Sequence, residues 1–304
     1  MDRLECDRMF VAVMESGSFA EASRRLGTSS GQASKLVARL EQELGVRLLN
    51  RTTRALAPTE AGQGYYQRIR NILDDLDSLD DEVTSRATAP RGRLRLTAPL
   101  TFGTRQLVPA LNEFVRAYPL IELDVSFTDR VVNLVDEGFD AAIRAGDVGD
   151  ANLIGRKLAD MSTLVVASDA YLAARGEPKR PADLAAHDCI IDTNFRDPLQ
   201  WRFREDGVDV TAQLSGRLRY SNAEACLRAA ETGLGIANVP DFVAARSIAA
   251  GRVREVLKDH APPPRAIWAM YPTGRHLAAK VRVLVDFLVQ RFHGVTDWAA
   301  LEET

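Results

Sequence analysis

The residue types best suited to chemistry are concentrated between Arg24 and Arg70. That segment holds nine basic and three acidic residues, a net charge of +6, in a chain of 304 residues whose formal net charge is −3. Clustered cationic side chains bind phosphate oxygens, and hydroxyl and amide groups among them can hydrogen-bond to base edges. The segment therefore predicts binding to nucleic acid. The candidate contact residues are Ser29, Ser30, Gln32, Ser34, Lys35, Arg39, Arg51, Thr52 and Arg54.

Two short helices are needed to position these side chains. Capping-box motifs begin at Ser18 and at Ser29. In this motif a hydroxyl and a carboxylate or amide satisfy N–H groups at the start of a helix. Gly27 separates the two predicted helices and Gly45 ends the second, since glycine adopts the left-handed conformation without penalty. Two helices joined by a tight turn form a helix-turn-helix, whose second helix enters the major groove of DNA.

A predicted wing follows the second helix. Residues 46–49 and 55–57 are predicted to form two short strands around a basic turn. This turn is placed to contact the DNA backbone beside the second helix. An earlier helix with an apolar face, ended by Gly17, completes a three-helix unit over residues 1–58. The alternative is a helical hairpin with a solvated basic face, which two successive caps and a wing disfavour.

The helix expected after Pro58 has a different pattern, which predicts pairing between two chains. Its apolar residues recur at intervals of three and four, the a/d spacing of a coiled coil, and acidic residues flank them. The alternative is an amphipathic helix that lies on its own domain. Residues 59–88 are accordingly predicted to be a linker and dimerisation helix. The predicted seam consists of Tyr65, Ile69, Ile72, Leu76, Leu79 and Val83.

From residue 89 onward, strand and helix patterns alternate, so the chain as a whole is predicted to be α/β. Such alternation favours a mostly parallel sheet covered by helices. Because residues 89–304 are too many for one simple sheet, we expect two lobes with a cleft between them. Lobe I would span about 93–165 and 266–304, and lobe II about 166–265. The predicted helices include 103–118, 131–137, 222–232 and 277–292.

Composition limits the other classes of function. No apolar run approaches the roughly 20 residues that span a bilayer, and the charged N-terminus lacks a signal-peptide core, so a cytoplasmic protein without membrane contact is expected. Cys6, Cys189 and Cys226 are far apart and the four histidines lack metal-ligand spacing. The Gly233-Leu-Gly235 sequence lacks the third glycine of a dinucleotide fingerprint. The sequence thus predicts no metal, no cofactor and no catalytic residues.

A recognisable pattern of residues runs along the whole chain: Ser18-Phe19, Ala22, Leu26, Ser29, Ser34-Lys35, Leu40-Glu41, Leu44-Gly45, Leu48-Leu49, Arg51, Thr59-Glu60, Gly62, then Pro109, Phe114, Tyr118-Pro119, Ile143-Arg144 and Gly233-x-Gly235-Ile236. It resembles the LysR-type transcriptional regulators. The resemblance implies a winged helix-turn-helix, a dimerising linker helix and a two-lobed sensor like a periplasmic binding protein. It also implies a homodimer or homotetramer that binds promoter DNA and a small-molecule effector, with RNA polymerase as a further partner.

The resemblance also indicates where the effector would bind. The helix that begins near Thr101 offers N–H groups and a positive dipole, which favour an anion. Arg144 would hold a carboxylate of the effector or pair with Asp129 or Asp147. A small organic acid or an aromatic metabolite is the class expected. The predicted effector-binding residues are Thr101, Phe102, Thr128, Arg144, Asn194, Asn222 and Ile236.

Several positions have two interpretations. Gln32 would read the edge of an adenine or act as the capping-box partner of Ser29. Lys35 replaces the arginine usual in the family and, without a planar fork, is expected to contact a backbone phosphate. Trp201 and Phe203 would form a wall of the cleft or belong to the core.

A second class of function remains open at this point. A small-molecule-binding protein or an enzyme on the same two-lobed fold would use the N-terminal unit for oligomerisation alone. Retention by a promoter fragment separates the two classes, because only a regulator binds one.

Overall fold

The chain divides into two compact units. The structure, a computed structural model, describes residues 2–51, 56–83, 89–130, 132–146, 152–273, 277–295 and 298, without the side chains of 51, 75, 78 and 80–83. Unit 1 is drawn from residues 1–93 and 135–138, and unit 2 from 94–134 and 139–304.

Unit 1 is built on three helices, a two-stranded wing and a long fourth helix. The side chains of Ser18 and Ser29 accept N–H groups at the starts of the second and third helices, while Gly17 and Gly45 close the first and third in the left-handed conformation. The predicted caps therefore stand at the helix ends. The elements are α1 (Arg3–Ser16), α2 (Phe19–Arg25), α3 (Ser30–Leu44), β1 (Leu49–Arg51), β2 (Leu56–Pro58) and α4 (Glu60–Val83).

One apolar cluster holds unit 1 together. Phe10 and Val13 of α1 and Leu40 of α3 are fully buried, and α4 adds Ile69 and Leu73 to the same cluster. Burial of such side chains contributes about 1.5–3 kcal/mol each relative to exposure. The first three helices thus form a fixed base on which α3 presents its outer face.

The wing is attached to this base through two side chains and one close approach of the backbone. The Glu41 carboxylate of α3 accepts N–H groups from Leu48 and Leu49, at 2.8 and 3.0 Å. The Thr59 hydroxyl donates to the Arg47 carbonyl and accepts the Gly62 N–H. A Cβ atom at Gly62 would lie 1.9 Å from the Leu48 carbonyl oxygen, so only glycine fits there.

Unit 2 contains the remaining elements. Its helices are α5 (Leu100–Phe102), α6 (Val108–Ala117), α7 (Asp169–Arg175), α8 (Ala223–Glu231), α9 (Asp241–Ala249) and α10 (Ala279–Phe292). Its strands are β3 (Gly92–Ala98), β4 (Ile121–Phe127), β5 (Ala141–Ala145), β6 (Leu153–Met161), β7 (Thr163–Ala167), β8 (Cys189–Asp192), β9 (Gln200–Glu205), β10 (Val208–Gln213), β11 (Leu218–Tyr220), β12 (Ile236–Pro240), β13 (Arg254–Val256) and β14 (Arg265–Pro272).

Two mixed sheets define the two lobes of unit 2. In the described part of the chain, sheet I has the order β4-β3-β5-β14-β6 and sheet II the order β11-β8-β12-β7-β13. Strands β3 and β5 are parallel, as are β8, β11 and β12, whereas β7, β13 and β14 pair antiparallel with their neighbours. The prediction of mostly parallel sheets was therefore wrong, because β14 re-enters sheet I from lobe II in the opposite direction.

The lobes meet at a crossover and at a shared core. Sheet I with α5, α6 and α10 forms lobe I, and the elements from β7 to β13 form lobe II. The chain passes from β6 to β7 at Ser162, slightly before the predicted boundary near residue 165. One buried cluster includes Leu94 and Ile143 of lobe I together with Val166 and Phe242 of lobe II. The two lobes are therefore joined by packing as well as by chain connections.

Two predicted helices differ from the structure. The helix expected over 103–118 begins at Leu100 and contains a π-helical turn, Gly103–Leu107, before α6. Where a helix was expected over 131–137, the described residues form turns, because Gly138 is left-handed and the Phe139 N–H closes back onto the Leu134 carbonyl. Within the described residues, no helix combines the length and apolarity required to cross a membrane.

Candidate functional site

Helix α3 presents a polar outer face opposite its buried one. Ser30, Lys35 and Arg39 are exposed, and Gln32 and Ser34 are half-buried. Ser29 acts as the N-cap, since its hydroxyl accepts the Gln32 N–H at 3.2 Å. The predicted polar side chains of α3 thus share one accessible stretch of helix, where a backbone phosphate or a base edge can reach them.

Arg39 is already engaged in an ion pair. Its Nε lies 2.8 Å from Glu43 on the next turn, and Glu43 is also 3.5 Å from Arg3. The hydrogen bond from Arg39 lowers the pKa of the Glu43 carboxyl. Exposed pairs of this kind contribute little to stability, so Arg39 can exchange Glu43 for a phosphate at low cost.

The wing is described only at its base. Strands β1 and β2 pair antiparallel, with Leu49 opposite Pro58 and Arg51 opposite Leu56. The side chain of Arg51 and the whole of Thr52 and Arg54 lie outside the described residues. The structure therefore brings the wing strands beside α3 through Glu41, without describing the predicted wing contacts.

The seam predicted along α4 divides into two faces. Tyr65 donates to buried Asp7 at 2.7 Å and packs 5.7 Å from the Phe10 ring centroid, so it faces α1 of its own chain. Ile69 is buried in the same core, together with Leu73, which the a/d pattern omitted. These contacts correct the prediction for Tyr65 and Ile69: both belong to the alternative interpretation, a helix lying on its own domain.

The other face of α4 remains accessible. Ile72 is 59% exposed and Leu79 48% exposed, while Leu76 is half-buried. The side chain of Val83 lies outside the described residues. An ion pair between Arg8 and Asp77 holds this part of α4 against α1. An exposed apolar pair on a helix that is already docked is typical of a surface that pairs with another molecule.

Thr101 and Asn222 meet where the two lobes join. The Asn222 Nδ2 of lobe II donates to the Thr101 hydroxyl of lobe I at 3.1 Å. The Asn222 Oδ1 accepts the Ala225 N–H and so caps α8. One side chain therefore stabilises a helix start and bridges the lobes at once.

Carboxylates occupy the positions where an anion was expected. Asp129 accepts the Leu100 N–H at 3.0 Å, so the chain's own carboxylate caps the helix that carries Thr101. Across the junction, Asp192 is 5% exposed and accepts the Asn194 N–H at 2.9 Å. Burial raises the pKa of Asp192, and the Asp129 carboxylate adds to that rise. An acidic ligand would enter this site against two carboxyl groups.

Arg144 is directed toward backbone oxygens of lobe I. Its guanidinium donates to the Thr128 carbonyl at 3.2 Å, to the Thr97 hydroxyl at 3.2 Å and to the Arg130 carbonyl at 3.4 Å. These bonds fix the residues that follow β4 to the neighbouring strands β3 and β5. Asp147, one of the predicted partners of Arg144, lies outside the described residues.

Other predicted residues lie in the core. Phe102 is 3% exposed and Ile236 is fully buried, so neither presents its side chain at the junction surface. Trp201 and Phe203 are buried in the core of lobe II under the β9–β10 hairpin, which decides between their two interpretations. Asn194 remains near the junction, where its Nδ2 donates to the Ser221 carbonyl.

Arg105 is a junction residue that the sequence did not reveal. It follows Phe102 in the π-helical turn of lobe I, forms an ion pair with Glu224 of lobe II and donates to the Val243 carbonyl at 3.3 Å. Nothing in its local sequence distinguishes Arg105 from a solvated arginine, because both partners are more than 100 residues away.

No metal site is found in the part of the chain that the structure describes. No group of three or more His, Cys, Asp and Glu side chains there is arranged to hold a metal ion. A small cavity in lobe II lies between sheet II and β9, and Val165, Phe203 and Asn238 form part of its lining. This cavity contains none of the predicted effector residues.

A winged helix-turn-helix followed by a long helix and a two-lobed α/β domain defines the class of DNA-binding regulators that carry a sensor. The model of the bacterial regulatory helix-turn-helix protein, lysR family, matches residues 7–63, and that of the LysR substrate binding domain matches residues 87–293. The chain belongs to the LysR family of transcriptional regulators, which confirms both the predicted fold class and the predicted function.

Individual relatives extend over nearly the full chain. An uncharacterized HTH-type transcriptional regulator of Haemophilus influenzae is 35% identical, over 92% of this chain and 98% of that protein. The HTH-type transcriptional regulator DmlR of Escherichia coli is 36% identical, over 94% of this chain and 93% of that protein. The structure of CrgA, a LysR-type regulator from Neisseria meningitidis, is similar with a TM-score of 0.62 and 31% identity, over 95% of this chain and 99% of that one.

Proposed function

We propose that this regulator reads its operator with α3 and the wing, within a DNA-binding domain of residues 1–58. The accessible polar face of α3 is the observation that supports this assignment. Lys35 and Arg39 would contact phosphates, together with Arg51, Thr52 and Arg54 of the wing. Ser30, Gln32 and Ser34 would approach base edges, and Ser29 would hold the helix start in place.

Mobility shifts on an operator recovered by selection from randomised duplexes test this assignment. Lys35→Ala is expected to weaken every duplex alike and to reduce the slope of log affinity against log salt by about one phosphate contact. Lys179→Ala, which removes an exposed lysine from lobe II, is the matched control and should change neither. Equal behaviour of the two variants would remove Lys35 from the interface.

Gln32 is the residue for which a base contact and a cap can be separated. A base contact predicts that Gln32→Ala loses discrimination at one operator position by about 1–3 kcal/mol while other positions are unaffected. Uniform loss at all positions, accompanied by a lower melting temperature, would assign Gln32 to the helix cap alone. Arg51→Ala provides the reference for a uniform loss.

We propose that two copies pair through the exposed face of α4, within a linker helix of residues 59–88. Ile72 and Leu79 are the exposed apolar side chains that support this, with Leu76 between them. Ile72→Glu is expected to shift the full-length protein toward monomer in sedimentation velocity. Gln63→Glu, at an exposed position on the same helix, should leave the assembly unchanged. An unchanged assembly in Ile72→Glu would place the interface elsewhere.

We propose that the effector binds where Thr101 and Asn222 meet, in a sensor domain of residues 89–304. Thr128, Arg144 and Asn194 would contribute to the same site, since Arg144 donates to the Thr128 carbonyl and Asn194 to the Ser221 carbonyl beside Asn222. The carboxyl groups of Asp129 and Asp192 favour an effector that donates hydrogen bonds over the organic acid suggested by the sequence. A thermal-shift panel of organic acids, polyols and amines tests the class. If organic acids alone stabilised the protein, the proposal of an effector that donates hydrogen bonds would be contradicted.

The remaining assignments follow from promoter binding. A protein that binds promoter DNA acts in the cytoplasm of a bacterium, and we propose contact with RNA polymerase as the way in which it adjusts transcription. Crosslinking of the bound protein to polymerase on the operator, with and without effector, tests the second point.

A further inference from the structure

Trp298 lies outside residues 87–293, which match the LysR substrate binding domain, and is nevertheless buried. Its side chain is 4% exposed. Its ring centroid lies 5.9 Å from that of Phe102, 5.8 Å from that of Phe242 and 6.3 Å from that of Phe292. Phe102 and Phe292 belong to lobe I, whereas Phe242 belongs to lobe II. The indole is therefore held between the lobes.

A hydrogen-bond chain connects the same indole to the crossover between the lobes. Burial raises the pKa of the Asp241 carboxyl, and hydrogen bonds from the Ser162 and Phe242 N–H groups and from the Trp298 side chain, whose one donor is Nε1–H, oppose that rise. Asp241 also accepts the Ser162 N–H at 2.8 Å, and the Asp241 N–H returns to the Ser162 carbonyl at 2.9 Å. Because Ser162 is the residue between β6 and β7, Trp298 is only two hydrogen bonds from the crossover.

The Arg105 bridge reinforces this contact. Arg105 lies in the turn after Phe102, and its Val243 acceptor follows Phe242 in α9. The aromatic cluster and the arginine bridge therefore join the same two segments of the two lobes. Phe102 directly follows Thr101, so the aromatic cluster anchors the backbone next to the hydroxyl that bonds Asn222.

We propose that Trp298 is a positioning residue that sets the angle between the two lobes, and with it the separation of Thr101 and Asn222, before any effector binds. The functional part of this inference rests on the effector site proposed above, whereas the lobe angle itself does not. A tryptophan that merely filled the core would stabilise unit 2 without determining how its lobes are oriented.

Trp201 provides a matched control. It is also a buried tryptophan, 2% exposed, but it packs within the core of lobe II alone, and its Nε1 has no hydrogen-bond partner. Removing its indole therefore changes the core of one lobe, whereas removing that of Trp298 changes the contact between two.

The experiment measures the distance between the lobes in the full chain. Nitroxide labels are attached through Ser126→Cys on β4 and Thr211→Cys on β10, both exposed positions, and double electron–electron resonance gives the distance distribution. Trp298→Ala is expected to shift or broaden the distribution by several ångströms, and Trp201→Phe to leave it unchanged. A Trp298→Ala distribution that superimposes on that of the parent chain overturns the proposal.

A milder variant covers the case in which Trp298→Ala does not fold. Trp298→Phe keeps a single aromatic ring and removes the five-membered ring of the indole with its N–H, so the amides of Ser162 and Asp241 are expected to exchange hydrogen at least tenfold faster than in Trp201→Phe. Equal exchange in the two variants overturns the proposal. Neither measurement uses effector or DNA, so its outcome is independent of whether the proposed function holds.

Discussion

The recognition helix and the lobe junction present their polar groups in opposite ways. The candidate DNA contacts of α3 come from one short stretch and stand open to solvent. At the junction, Asn222 reaches Thr101 from 121 positions away, and both side chains are already hydrogen-bonded to each other. DNA meets one face of a single helix on a fixed base, whereas an effector meets groups that bridge two lobes. DNA binding by α3 therefore depends on the helices that support it, and effector binding at the junction depends on the hydrogen bonds that bridge the lobes.

The strongest test of this contrast removes the scaffold beneath the recognition helix. In Gly62→Ala the new Cβ would lie 1.9 Å from the Leu48 carbonyl oxygen, a backbone atom, so the backbone of the wing or of α4 would have to shift. We expect a loss of about 3 kcal/mol or more in unit 1, and loss of operator binding, measured by thermal unfolding and mobility shift. The sensor should keep its fold.

Gly64 provides the control for that substitution. It lies two residues further along α4 with no atom within 4 Å of an added Cβ, so Gly64→Ala is expected to stabilise the helix by about 0.5–1 kcal/mol. Similar stability of the two variants would show that the base does not depend on the close approach at Gly62.

The sensor should be the more alkali-sensitive region. Burial raises the pKa of the Cys189 and Cys226 thiols to about 12, so the folded state keeps protons that the unfolded chain releases above pH 9. Stability from the two thiols is complete below about pH 9 and is lost as the pH rises toward 12. The loss amounts to about 1.4 kcal/mol per thiol by pH 10.

Urea unfolding at pH 8 and pH 10 measures this loss. The double variant Cys189→Ala/Cys226→Ala is expected to lose less stability than the parent chain over that interval, because it lacks both thiols. Identical losses in the two proteins would contradict the prediction.

A third, smaller effect concerns the wing. Glu41→Ala leaves the Leu48 and Leu49 N–H groups without their carboxylate and should destabilise unit 1 by about 2 kcal/mol. Glu43→Ala, on the exposed side of the same helix, should change stability by less than about 0.5 kcal/mol. Chemical denaturation of both variants makes the comparison. A Glu43→Ala effect as large as that of Glu41→Ala would refute it.

The smallest predicted effect separates the two bonds of Asn222. Asn222→Ser keeps a side-chain oxygen that can cap α8 but is too short to reach Thr101, so the bridge is lost at a cost of about 1 kcal/mol. Asn222→Ala removes both and should lose about 1 kcal/mol more. If the two variants unfold at the same temperature, the cap contributes nothing measurable.

The sequence predicts local features of this fold better than distant ones. The caps at Ser18, Ser29 and Gly45 were predictable because a helix end depends on residues within one turn. The split face of α4 was not, since a/d spacing is the same for a helix that pairs with a twin and for one that packs on its own chain. Leu73 shows this, because it fell between the predicted seam positions and is buried nevertheless.

The junction residues show the same limit at longer range. The predicted segment at Thr101 and Phe102 does reach the junction, but successive residues on a helix point about 100° apart, so one meets Asn222 and the other enters the core. Strand directions in the two sheets, the Arg105 bridge and the position of Trp298 depend on contacts between segments that lie far apart in the chain. No local pattern records such contacts.

The length of α4 has a consequence for operators. Its 24 residues extend about 36 Å at 1.5 Å per residue, close to one turn of the double helix. If two chains pair along α4 as proposed, the length of this helix would set the distance between their recognition helices. Adding seven residues would lengthen the helix by about 10 Å, which is the length of roughly three base pairs along DNA. Under the same proposal, a longer α4 would favour an operator with more widely spaced half-sites, while the residues that read the bases stay the same.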